Sequence, residues 1–157
     1  MPGARIVLVE DDAVLRDLLA RNLQARGHEV RAAGDAHTAL AHLRTAPFDL
    51  IVLDICLPDQ TGWEILRTAQ REGWLHPQSF EGDAEQLPVV VLSAVRVNQR
   101  RLAEFRPVAY LPKPFPLDSL LRLAADAAQR KVGAAATGPE DTEHPLSALS
   151  IEEEPHA

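Results

Sequence analysis

Five side chains suited to phosphoryl chemistry follow short apolar runs of the chain. Asp11 and Asp12 follow Arg5-Ile6-Val7-Leu8-Val9 through Glu10, and Asp54 follows Leu50-Ile51-Val52-Leu53. Ser93 ends Pro88-Val89-Val90-Val91-Leu92, and Lys113 follows Val108-Ala109-Tyr110-Leu111 by way of Pro112. Such runs read as strands buried on both faces, the pattern of a parallel sheet. A charged side chain is costly to bury, so each belongs at an exposed strand end. In a parallel sheet all the carboxyl ends open on one edge, where ligands bind. Carboxylates crowded there raise each other's proton affinity unless a cation intervenes. Mg²⁺, a hard ion that keeps several waters, suits two or three of them. Phosphoryl transfer then requires alignment and neutralisation of charge spread over three oxygens. Asp54 is the nucleophile in this arrangement and becomes an acyl phosphate. Mg²⁺ covers one phosphoryl oxygen, Lys113 a second, and the Ser93 hydroxyl with nearby backbone N–H groups a third. Plainer roles compete: Asp11 and Asp12 also suit a helix N-terminus, where Asp12 could cap, and Ser93 could cap the next stretch.

The elements that must position these residues alternate in type. After the first strand, Val14, Leu15, Leu18, Leu19 and Leu23 form one helical stripe that Gly27 is placed to end. Glu29–Ala33 is a weaker strand. Asp35 is an N-cap candidate for a helix through Ala36, Ala39, Leu40 and Leu43, which Pro47 stops. Gly62 begins a third helix, Asn98 to Phe105 suits a short fourth, and Leu117 to Ala128 carries a last amphipathic one. Residues 72–87 show no period and read as an irregular loop. Strand and helix alternate five times, which predicts an α/β fold: a doubly wound, five-stranded parallel sheet of flavodoxin-like type with helices on both faces.

The 157 residues are 46% hydrophobic and 25% charged, with a net charge of −7 that is unevenly placed. The first 131 residues hold all 16 basic and 17 of the 23 acidic residues, so six acids fall in 132–157 with no Lys or Arg. We therefore expect a domain over 1–131 and an acidic, disordered C-terminal tail over 132–157, with Leu146, Leu149 and Ile151 as a conceivable docking motif. A nearly neutral body argues against direct nucleic-acid binding. A single cysteine, Cys56, excludes a disulfide within the chain and a Cys-based zinc site. No apolar stretch has the length of a membrane span, so a cytoplasmic protein is expected.

These residues carry a resemblance. Val9-Glu10-Asp11-Asp12, Asp54 with Leu57-Pro58 and Gly62, Val91-Leu92-Ser93-Ala94, and Tyr110-Leu111-Pro112-Lys113-Pro114-Phe115 together resemble the CheY-like receiver domain of bacterial two-component response regulators. The resemblance covers roughly residues 5 to 130 and implies that Asp54 is phosphorylated. It implies a Mg²⁺ site made by Asp11, Asp12, Asp54 and the backbone carbonyl of Cys56. It further implies that Ser93 and Lys113 stabilise the phosphoryl group, Lys113 with a cis bond to Pro114, and that Tyr110 is a switch aromatic whose rotamer follows Ser93. The donor it implies is a phosphohistidine on a sensor histidine kinase or phosphotransfer protein. Downstream it implies a partner protein or a homodimer, and the lack of an output segment after Lys131 suggests a single-domain regulator. Residues 72–87 depart from the family by exceeding ordinary αβ loops. Arg106-Pro107-Val108-Ala109 replaces the usual Gly-Ala pair, which leaves the fourth helix open. These departures motivate an alternative, a receiver-like interaction module that works without phosphorylation.

Overall fold

The computed structural model describes residues 3–45, 47–75 and 86–136. Five strands, β1 (Arg5–Val9), β2 (Glu29–Ala33), β3 (Leu50–Asp54), β4 (Val89–Ser93) and β5 (Ala109–Pro112), alternate with five helices. The helices are α1 (Ala13–Ala25), α2 (Ala36–Thr45), α3 (Gly62–Arg71), α4 (Gln99–Phe105) and α5 (Leu117–Ala136). The sheet is parallel throughout, in the order β2-β1-β3-β4-β5, which is the flavodoxin-like topology that the alternation predicts. Most of the segment 72–87 (residues 76–85) and residues 137–157 of the acidic tail lie outside the described residues. Helix α5 itself runs to Ala136.

Strand periodicity divides the core in two. Ile6, Leu8, Leu50, Val52, Val90 and Leu92 pack with Leu19 and Leu23 of α1 and Leu120 and Ala124 of α5. Val7, Val9, Ile51, Leu53, Val89 and Val91 face the other way, toward Ala39 and Leu43 of α2, Ile65 and Leu66 of α3, and Phe105 of α4. All of β3 and β4 is buried, which explains their unbroken apolar runs, whereas β2 at the edge is mostly exposed and reads weakly.

Local chemistry sets the helix limits. Asp12 caps α1, its carboxylate accepting from the N–H groups of Val14 and Leu15, and Gly27 follows the helix with φ 89°. At α2 the Asp35 carboxylate accepts from Thr38 N–H at 2.8 Å, while Asp59, distant in sequence, accepts from Ala36 N–H at 2.9 Å and His37 N–H at 3.1 Å. Helix α4 forms despite the altered sequence after it. Asn98 caps its start, Arg106 ends it in the left-handed region (φ 47°), and Phe105 stacks on Trp63 at 5.8 Å between ring centroids.

Gly62 fixes the distance between α3 and the end of β3. Its N–H donates to Ile55 O at 2.8 Å, and a Cβ at this position would lie 2.7 Å from Asp54 O and 3.0 Å from Ile55 Cα. Both are backbone atoms, so the clash has no flexible end to absorb it. Gly62→Ala should cost about 1–3 kcal/mol of stability, as overpacking does. Urea unfolding should show a lower midpoint with an unchanged slope; an unaltered midpoint would contradict the close approach.

Candidate functional site

The sheet's carboxyl edge is built by the same two-residue period as the core. Continuing the α1/α5-facing series of β1 beyond Ile6 and Leu8 gives Glu10, and continuing that of β3 beyond Leu50 and Val52 gives Asp54. In β5, Ala109 and Leu111 share that face, and the next position in the series is Lys113. Three ionisable groups from the ends of β1, β3 and β5 therefore converge, with β4 lying between the last two. Lys113 Nζ lies 2.6 Å from Glu10 Oε1 and 3.2 Å from Asp54 Oδ2. Both contacts pair the ammonium with a carboxylate oxygen, so a single cation serves two acids.

Asp54 is 2% exposed and Glu10 is fully buried. The remaining Asp54 oxygen, Oδ1, accepts from Cys56 N–H at 3.0 Å, and Glu10 Oε2 accepts from Asp12 N–H at 3.2 Å. Burial pushes the Glu10 carboxyl from its ordinary 4.5 to about 7, with the Asp54 charge adding to the rise and Lys113 and the Asp12 N–H opposing it. Burial works against the Lys113 ammonium, but Glu10 and Asp54 together outweigh it and raise the lysine's pKa.

Glu10, Asp11 and Asp54 each place a carboxylate oxygen within 4.8 Å of the others. Asp11 is exposed at the mouth of the cluster. This set differs from the Asp11–Asp12 pair read from the sequence. The Asp12 carboxylate is occupied as the cap of α1, and the buried acid beside Asp54 is Glu10. The signal that identifies Glu10 is parity: it continues the Ile6, Leu8 series, and an unbroken acidic run conceals that. The Cys56 side chain is exposed, and its backbone pairs across the turn with Thr61.

Ser93 belongs to the opposite strand face, in series with Val89 and Val91. Its hydroxyl, 1% exposed as a residue, donates to Val95 O at 2.8 Å and accepts from Val95 N–H at 3.1 Å. Tyr110 OH donates to the same carbonyl at 3.3 Å, so Ser93 and Tyr110 share Val95 O as acceptor. The β5 end is tied down by Lys113 N–H donating to Ser93 O at 2.8 Å, and the Lys113–Pro114 bond is cis. Beside Lys113 a cleft of about 330 Å³ opens between α1 and the start of α5, lined by Leu15, Leu18, Leu19, Pro114, Phe115 and Leu117.

Known proteins are similar to this chain in sequence and fold. The family model described as response regulator receiver domain matches residues 6–125. The transcriptional activator protein PfeR of Pseudomonas aeruginosa is 36% identical over 134 residues, which is 84% of this chain and 40% of PfeR. The chain thus spans less than half of that relative. Chemotaxis response regulator CheY4 of Vibrio cholerae superposes with a TM-score of 0.67 at 24% identity, covering 80% of this chain and 98% of CheY4. Response regulator protein TrrA of Thermotoga maritima, solved in complex with Mg²⁺ and BeF, gives a TM-score of 0.62 at 26% identity, covering 81% of this chain and 99% of TrrA. The chain belongs to the response regulator receiver domain family.

Proposed function

We propose that the chain is a phosphoacceptor switch in a two-component phosphorelay of the cytoplasm, taking a phosphoryl group from a phosphohistidine onto Asp54. The observation that carries this reading is the buried Glu10–Lys113–Asp54 cluster, in which one ammonium holds two carboxylates at the ligand-binding edge of the sheet. A sensor histidine kinase or a phosphotransfer protein is the donor. The cleft beside Lys113, with Val14 and Leu18 exposed on α1, offers that donor an apolar seat next to the site.

An Asp54 oxygen attacks phosphorus, the N–P bond to imidazole breaks, and the leaving imidazole takes up a proton while Asp54 becomes an acyl phosphate. Lys113 already contacts Asp54 and needs only to follow the new charge. Ser93 must leave Val95 O to donate to the phosphoryl group, and its departure changes what Tyr110 shares at that carbonyl. The switch is a shift between these two arrangements of the loop after β4.

The donor set suits a hard divalent cation: all its atoms are carboxylate oxygens, and the two buried acids among them share a single ammonium. Glu10, Asp11 and Asp54 would hold Mg²⁺, with the Cys56 carbonyl as a further ligand, in place of a set that includes Asp12. Bound there, the ion supplies charge neutralisation to the phosphoryl oxygens. TrrA, solved with Mg²⁺ and BeF, supports the same reading for this chain.

Incubation with acetyl phosphate and Mg²⁺ should add the mass of one phosphoryl group to the wild type and none to Asp54→Asn. A gain that survives the substitution would remove Asp54 from its role. The pH dependence follows from Glu10. Its folded pKa, about 7, lies above its ordinary 4.5, so between these values the folded state binds more protons than the unfolded one. The stability due to this group is complete below 4.5 and lost as pH rises through 7. Metal-free wild type should therefore lose stability across that window relative to Glu10→Gln in urea titrations, and parallel curves would refute the assignment. The paired comparison cancels the opposing effect of His28, whose pKa is lowered by burial and by Arg26.

A further inference from the structure

Helix α4 and the segments flanking it carry more positive charge than the acids among the described residues pair with. Residues 95–108 contain Arg96, Arg100, Arg101 and Arg106 against the single acid Glu104. That acid is already shared, 3.0 Å from Arg101 and 3.6 Å from Arg67 on α3. Among the described residues, Arg96, Arg100 and Arg106 have no carboxylate partner, and all three are exposed. Two apolar side chains interrupt the patch at the surface, Val95 at 56% and Val108 at 50% exposure. Exposed cations around exposed valines make a surface that fits an acidic segment with apolar residues between its charges.

The same chain contains such a segment. Residues 137–157 hold Glu140, Asp141, Glu143, Glu152, Glu153 and Glu154 without any Lys or Arg, and Leu146, Leu149 and Ile151 stand between the two acidic groups. Its starting point is favourable. Helices that follow strands of a parallel sheet run back against them, so α4 and α5 both end at the edge opposite the phosphoacceptor site. The segment leaves α5 after Ala136, at the edge where Arg106 and Val108 lie. Twenty residues of chain span up to roughly 65 Å, against about 10 Å for the length of α4. A covalent link of this length gives an effective concentration in the millimolar range, enough for weak charged contacts to be occupied.

We propose that residues 140–154 dock in cis on the arginine patch of α4, the two acidic groups meeting Arg96, Arg100 and Arg106 and the leucines covering the exposed valines. Val95 O is the acceptor shared by Ser93 and Tyr110, so the docked segment sits against the loop that the phosphoryl group rearranges. Docking itself does not depend on phosphorylation. It is governed by surface charge and weakens with salt, because the Debye length at 0.1 M is only about 10 Å.

The test uses the full chain with Cys56→Ser and Ala148→Cys, a nitroxide on the new thiol, and amide NMR at low salt. Broadening concentrated on residues 95–110, abolished by Glu152→Gln/Glu153→Gln/Glu154→Gln and reduced severalfold in 0.5 M NaCl, is the expected result. Broadening spread evenly, centred on another face, or indifferent to the glutamines overturns the proposal. A mixture of ¹⁵N-labelled chain with unlabelled, spin-labelled chain separates the two sources of the segment. Little broadening of the labelled chain supports docking in cis, and broadening equal to that within one chain overturns it in favour of a second copy.

Discussion

Everything at the carboxyl edge depends on one ammonium shared by two buried carboxylates. Lys113 alone, 2.6 Å from Glu10 and 3.2 Å from Asp54, cannot neutralise both. The charge deficit shows in Glu10, whose pKa burial and the neighbouring Asp54 raise to about 7. Removing one partner from such a buried group leaves an uncompensated charge, which is more costly than never having built it. The site thus has room for additional positive charge, and a divalent cation held by Glu10, Asp11 and Asp54 would supply what the lysine cannot. A phosphoryl group on Asp54 would reverse that balance and draw Lys113 and the cation toward itself.

The fold was legible in the sequence because β3 and β4 are buried on both faces, which produces short apolar runs whose length and β-branched content favour strand over helix. Asp54 and Lys113 were legible for the same reason, as charges placed just beyond such runs. The identity of the second acid was not. Glu10, Asp11 and Asp12 are consecutive, and only the alternation carried over from Ile6 and Leu8 separates the buried acid from the one that caps α1. The sequence offered both roles for Asp12, cap and metal ligand, and in the structure the carboxylate serves as the cap.

Other features lay beyond sequence reasoning because they are long-range or rotameric. Asp59 caps α2 across 23 residues, a contact that no local pattern encodes. The Ser93 hydroxyl turns to Val95 instead of Asp54, a rotamer choice set by the loop after β4. That loop joins the site to the surface. Ser93 and Tyr110 meet at one carbonyl, and the valine that bears it is exposed at the margin of the arginine patch. A change of hydrogen bonding at the carboxyl edge therefore has a short path to the face formed by α4 and β5. Helix α4, left open by the departures around residues 106–109, is held by Asn98 at one end and by Phe105 stacked on Trp63 at the other.

The central claim is that Glu10 takes the place beside Asp54 and that Asp12 does not. Calorimetric titration of Mg²⁺ into Glu10→Gln and Asp12→Asn separates the two, since asparagine preserves the cap of α1. The account predicts that Glu10→Gln weakens Mg²⁺ binding roughly tenfold or more, about 1.4 kcal/mol or above, while Asp12→Asn stays within a few-fold of wild type. A large loss in Asp12→Asn with Glu10→Gln unaffected would contradict it.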